Sequence, residues 1–254
     1  MLKRFSNLFR SSIPTCNGRT GFVYTSQNEP GPLTAGRIGD VIRIQSAPPW
    51  IVVDHSKDSI VFTNWPGVLW MVEVVEPAPN SEQVTSTYTR SKAVRLIEIS
   101  TATELFGANG DAVEQILNQA AQLELTQIES ARPFGVDAVN AYSRAWNAWI
   151  KNRDPDETVG NHESTLGVGS CGYDSPIGRG FVLLFNVVHK RARAIEGDSA
   201  FSVDDEGELH FLPHWQIAFD AARFAAMACG APELLSEQER RILVATWASM
   251  LEPT

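Results

Sequence analysis

Ala93-Val-Arg-Leu-Ile-Glu-Ile-Ser-Thr-Ala-Thr-Glu-Leu-Phe-Gly-Ala-Asn-Gly-Asp-Ala-Val-Glu-Gln-Ile-Leu117 is the stretch on which the reading of this chain turns. Up to Ser100 it is dense in β-branched and aliphatic residues, while from Asp111 onward Val113, Ile116 and Leu117 recur at the spacing of one helix face. The texture of the chain changes here. Working back toward the N-terminus, short runs rich in Val, Ile and Trp alternate with Pro/Gly turns; working forward, long stretches carry apolar residues at helical period. The chain therefore reads as α+β, with an N-terminal β-rich module packed against a C-terminal five-helix domain that carries one β-hairpin.

Upstream, the strand candidates are 21–25, 40–45, 50–54, 59–63, 69–76 and 93–100. They are separated by Asn28-Glu-Pro-Gly-Pro32, Ala47-Pro-Pro49, Asn64-Trp-Pro-Gly67 and Pro77-Ala-Pro-Asn80, where proline fixes φ and glycine frees it. Short strands at near-regular spacing predict a small antiparallel sheet or half-open barrel. In the last strand, Lys92, Arg95 and Glu98 do not alternate cleanly with Val94, Leu96, Ile97 and Ile99. Downstream, Asp111 is an N-cap candidate for a helix that aligns Val113, Ile116, Leu117, Ala120, Leu123 and Ile128. Further helices are expected over 136–151, 177–195 and 215–229. A fifth opens with Ser236-Glu-Gln-Glu239, a capping box in which side chains satisfy free N–H groups reciprocally. Phe201–Phe211 reads as a hairpin turning at Glu206-Gly207. The domain reading is thus a basic, flexible arm over 1–20, a β-rich module over 21–100, and a helical domain over 101–254 with a Gly-rich loop at 154–180.

Charge is split along the same line. Residues 1–100 carry 10 Lys and Arg against 8 Asp and Glu, and residues 101–254 carry 11 against 22. An acidic surface repels phosphate backbones, so duplex DNA is not an expected partner. The arm, with Lys3, Arg4 and Arg10 among Leu2, Phe5, Leu8 and Phe9, lacks the continuous apolar stretch and cleavage site of a secretory signal. No run reaches the length of a transmembrane segment; Phe181-Val-Leu-Leu-Phe-Asn-Val-Val188 is far too short. Three widely spaced cysteines (Cys16, Cys171 and Cys229) do not make a disulfide framework, which points to a reducing cytoplasm.

The 154–180 loop holds Gly160, Gly167, Gly169, Gly172, Gly178 and Gly180, and long loops inside a compact domain are usually functional or disordered. Within it, Cys171 is a candidate nucleophile, with His162 as base and Glu163 as orienting group. Ser170, Asp174 and Arg179 are candidate anion or ligand contacts where the loop enters a helix, although the run matches neither a Walker A nor a dinucleotide fingerprint. His189, His210 and His214 are candidate metal ligands. Pro213 breaks the helical spacing that His210 and His214 would need, and the simpler reading places His210 on a strand, His214 at a helix entry and His189 against its helix's C-terminal dipole. Of seven Trp residues, Trp50, Trp65 and Trp70 cluster in the sheet region, where a solvent-facing aromatic set makes a recognition surface and a buried one makes core.

No catalytic fingerprint stands out on either half, and no cofactor can be assigned. The leading reading is an interaction or regulatory accessory protein with a protein partner. The alternatives are a small-ligand or anion-binding protein and a Cys/His-dependent hydrolase or transferase. Size and the two-part layout are also similar to accessory proteins of bacterial operons and mobile elements, including plasmid-borne stress-resistance determinants, but no motif carries that likeness.

Overall fold

The structure, a computed structural model, describes residues 19–27, 31–46, 48–60, 64–79, 87–107, 109–153 and 176–252. The N-terminal arm up to Gly18 and residues 154–175 of the 154–180 loop lie outside the described residues.

Among the described residues, five strands form the first half: β1 (Thr20–Ser26), β2 (Val41–Arg43), β3 (Ile51–Asp54), β4 (Gly67–Pro77) and β5 (Tyr88–Ser100). All pairings are antiparallel, and β4 pairs with both β1 and β5, so the sheet closes into a small barrel. The uneven alternation of β5 has a structural cause. Its ladder with β4 shifts register between Met71 and Val72, between Val74 and Glu76, and between Glu76 and Pro77. The extra residues are Ile97 and Lys92 on β5 and Val75 on β4, which breaks a strict alternation of faces along the ladder. β5 is also longer than its sequence suggests and starts at Tyr88. Of the 59–63 strand expectation, Ser59 ends a 3₁₀ turn over Lys57–Ser59 and Ile60 is buried, while 61–63 lie outside the described residues.

Among the described residues, six α-helices make the second half: α1 (Gly110–Ala120), α2 (Leu125–Ser130), α3 (Val136–Arg153), α4 (Pro176–Glu196), α5 (Pro213–Gly230) and α6 (Glu237–Leu251). Between α4 and α5 a hairpin pairs β6 (Phe201–Val203) with β7 (Leu209–Phe211). Gly207 at its turn takes φ +84°, a conformation costly for any residue with a Cβ. The helix expected to run from Asp111 to Ile128 is two helices. Leu123 is fully buried between them, its freed carbonyl accepts a bond from Arg191 Nε on α4 at 2.6 Å, and the Gln127 side chain accepts from the Glu124 N–H at 2.9 Å to start α2. At α6 the capping box forms as its sequence predicts: Ser236 Oγ accepts from the Glu239 N–H and Glu239 Oε2 accepts from the Ser236 N–H.

The barrel has its own interior of Val23, Leu33, Val53, Trp70, Val72 and Leu96. Its outer face joins the helices in a second core, where Ile60, Trp65 and Leu69 pack with Phe106, Leu117, Leu183 and Trp215. Trp65 fixes that junction: its ring meets Phe106 edge-on at 5.7 Å and its Nε1 donates to Asn118 Oδ1 at 2.9 Å. A third cluster, including Tyr142, Phe224 and Leu243, lies among α3, α5 and α6. No helix among the described residues is long and apolar enough to cross a membrane.

Candidate functional site: an open seam in the barrel

The barrel is closed unevenly. β1 follows β4 from Thr20 opposite Glu73 to Ser26 opposite Gly67, but among the described residues it meets β3 only where Phe22 faces Asp54. β2 and β3 lie end to end along one edge of β5, β2 against residues 93–95 and β3 against residues 88–91. Between β1 on one side and β2 with β3 on the other, the wall opens into a groove of about 1250 Å³.

Short strands and proline turns produce this opening. β2 pairs over three residues before Ser46, Pro48 and Pro49 carry the chain toward β3, and a chain interrupted by proline cannot continue a ladder. One lip is Val23 to Ser26; the other is Ile42 to Ser46 with Trp50 to Val52. Trp50, Tyr24 and Tyr88 are half-buried and present ring surface to the groove. Tyr24 donates its hydroxyl to the Asn64 carbonyl at 2.8 Å, and burial, reinforced by the Glu114 carboxylate, raises its pKa far above the usual phenol range. It is a neutral hydroxyl at any physiological pH. Among the described residues, the charged ones lining it are Arg43, which pairs with Glu76, and Asp54. The groove is apolar and aromatic with hydroxyls at its edges, and close to neutral.

The two sheet tryptophans grouped with Trp50 in the sequence are core: Trp65 and Trp70 are 4% and 5% exposed. What separates Trp50 from them is its place behind Pro48-Pro49 at the start of β3, a positional signal that composition does not carry.

The remaining sequence candidates divide into two groups. His162, Glu163, Ser170, Cys171 and Asp174 lie outside the described residues; Arg179 falls in the first turn of α4, with its side chain outside them. The three histidines are described, and each has a different partner. His210 Nε2 bonds Asp204 Oδ2 at 2.7 Å on the hairpin, and His214 Nε2 bonds Glu196 Oε2 at 2.8 Å at the start of α5. His189 sits two turns before the end of α4, not at its C-terminal dipole, in a ring cluster with Phe201 at 4.5 Å and Phe185 and Phe211 at 6.0 Å. Its pKa is lowered by burial and then by Arg193. Asp204, Glu208 and His210 bring ligand atoms within 4.8 Å of one another, but all three are exposed. Asp204 has a local task there: Oδ1 accepts the N–H groups of Glu206 and Glu208 at 3.0 and 2.8 Å, bracing the hairpin turn. Hydrogen bonding to His210 first, and to those N–H groups, holds its carboxyl below the ordinary range. Glu196 is also held low, by His214 first and then by the indole N–H of the fully buried Trp215. No family model, curated protein or solved structure matches this chain.

Proposed function

We propose that the chain is an interaction protein whose barrel seam takes up an extended, largely apolar segment of a partner polypeptide. The observation that carries this reading is the place where β1 parts from β2 and β3, leaving a groove lined by β-strand residues on both lips. Recognition by strand addition uses such geometry: backbone groups supply affinity, and pockets for alternate side chains supply selectivity. The volume of about 1250 Å³ exceeds the roughly 300–1,000 Å³ of a small-molecule pocket and suits several residues of extended chain. Charge argues the same way. A phosphate-bearing ligand would need free cations, whereas the one cationic lining residue among the described residues, Arg43, is already opposite Glu76. A cytoplasmic setting accords with the sparse, widely spaced cysteines.

Selection of displayed random peptides about ten residues long against the full chain tests this, that length matching the span of a typical strand. Selected peptides should share alternating apolar residues, and their affinity should fall about tenfold or more on Trp50→Ala, as for a buried aromatic anchor. Val52→Glu, at a position 43% exposed and therefore tolerant of the charge, should weaken them similarly. Peptides that bind both variants as tightly as the parent would defeat the proposal.

A further inference from the structure

Two rings carry the β6–β7 hairpin onto the helices. Its strands are three residues each, and Ser202, Val203, Leu209 and His210 are exposed, whereas Phe201 is buried and Phe211 half-buried. At its base the Leu212 N–H donates to the Ala200 carbonyl at 2.9 Å, and His214 meets Glu196. A hairpin this short is marginal in water by itself, so its place depends on the surface that receives Phe201 and Phe211.

That surface is the face of α4 bearing Phe185 and His189, four residues apart and so neighbours on the helix. The His189 ring lies 4.5 Å from Phe201 and 6.0 Å from both Phe185 and Phe211. Phe219 of α5 closes the far side, 5.6 Å from Phe185 and 5.9 Å from Phe211. In this group of rings the imidazole is the member that can take up a proton.

A neutral imidazole suits the setting and an imidazolium does not. Aromatic faces attract cations, but Phe201 already carries one: the Arg193 guanidinium, one turn along α4 from His189, lies 5.5 Å from its ring centroid. A second positive charge there would compete for the same ring and repel the first, and half-burial strips away part of the water that would solvate it. Arg193 has Asp198 Oδ1 at 3.5 Å, on a carboxylate 91% exposed that offsets it weakly. The remaining charges on the packed elements are engaged with other groups: Glu196 with His214 at the hairpin base, Asp204 with His210 at its turn, and Asp220 with Arg223 on α5. Burial first, and then Arg193, lower the His189 pKa accordingly. We propose that the hairpin is an acid-released clasp, in which proton uptake by His189 expels Phe201 and Phe211 from the face of α4 and uncovers Phe185 and Phe219. The closed form is favoured above the free imidazole value of about 6.5 and is lost as pH falls through that value toward the lowered one.

Amide hydrogen exchange of the full chain at about pH 7 and pH 5.5, on either side of the free imidazole value, tests this when each rate is referred to that of an unstructured peptide at the same pH. Protection over residues 201–211 should fall severalfold, with a ceiling of about eightfold for one proton whose free pKa is near 6.5, while α4 and α5 keep theirs. His189→Phe leaves a ring in the cluster and should remove the pH dependence. His210→Gln combined with His214→Gln should leave it in place. The proposal is overturned by protection that does not fall, by a fall that survives in His189→Phe or vanishes in the His210→Gln, His214→Gln chain, or by an equal fall across α4 and α5. Should His189→Phe lose its near-ultraviolet circular dichroism, the proton titration of the His189 ring in the parent chain decides: a midpoint below about 6.5 supports release, and one at or above it overturns it.

Discussion

Single side chains tie distant parts of this chain together. Trp65 reaches from the turn before β4 to α1, and its indole N–H and ring are both engaged there. Trp65→Phe keeps an aromatic ring but removes the donor and part of the volume, and should cost about 1–2 kcal/mol in urea unfolding. His189 gives the fold a pH-dependent element. Its folded-state pKa is lowered, so the neutral form fits the ring cluster and the unfolded chain binds the proton more readily. The stability this contributes is present above the unfolded value near 6.5 and is lost as pH falls through that value toward the folded one. His189→Phe should accordingly flatten the decline in the urea midpoint between about pH 7 and pH 5.5, the interval in which a free imidazole titrates. A decline as steep as the parent's would assign the acid sensitivity elsewhere.

At the scale of elements, two glycines hold positions for different reasons and should respond differently to substitution. At Gly207 the hairpin turn has φ +84° with open space around the missing Cβ, so alanine meets only backbone strain, about 1 kcal/mol. At Gly110 an added Cβ would stand 1.8 Å from the Thr103 carbonyl oxygen, and the first turn of α1 or the preceding 3₁₀ turn must shift. Gly110→Ala should therefore lower the thermal midpoint well beyond Gly207→Ala, and equal midpoints would show that the approach is easily relaxed. The elements also differ in how far they can be read from sequence. α6 announces itself because its Ser236–Glu239 box is local, and the hairpin does so through Glu206-Gly207. The break between α1 and α2 does not, because Leu123 and Ile128 continue the apolar period of α1. At the break, the Leu123 carbonyl accepts from Arg191, sixty-eight residues away, and the Glu124–Gln127 box starts α2.

For the molecule as a whole, the shared core predicts one cooperative unit. Ile60, Trp65 and Leu69 from the barrel are buried among helix residues, so neither half can unfold without exposing the other's apolar surface. Tryptophan fluorescence and far-ultraviolet circular dichroism should report coincident urea transitions; separated midpoints would mean two independently stable parts. The α+β character, the order of strands before helices, the helix faces and the hairpin were all determined by the sequence, since each depends on periodicity or turn chemistry within a few residues. Tertiary structure decided the rest. Barrel closure rests on β4–β5 pairing with bulges, and the separation of Trp50 from the buried Trp65 and Trp70 depends on which side of the wall each occupies. The seam itself is a failure of two strands to pair beyond Phe22 and Asp54. Register between strands distant in sequence is set by the packing of the whole barrel, and no local pattern encodes it.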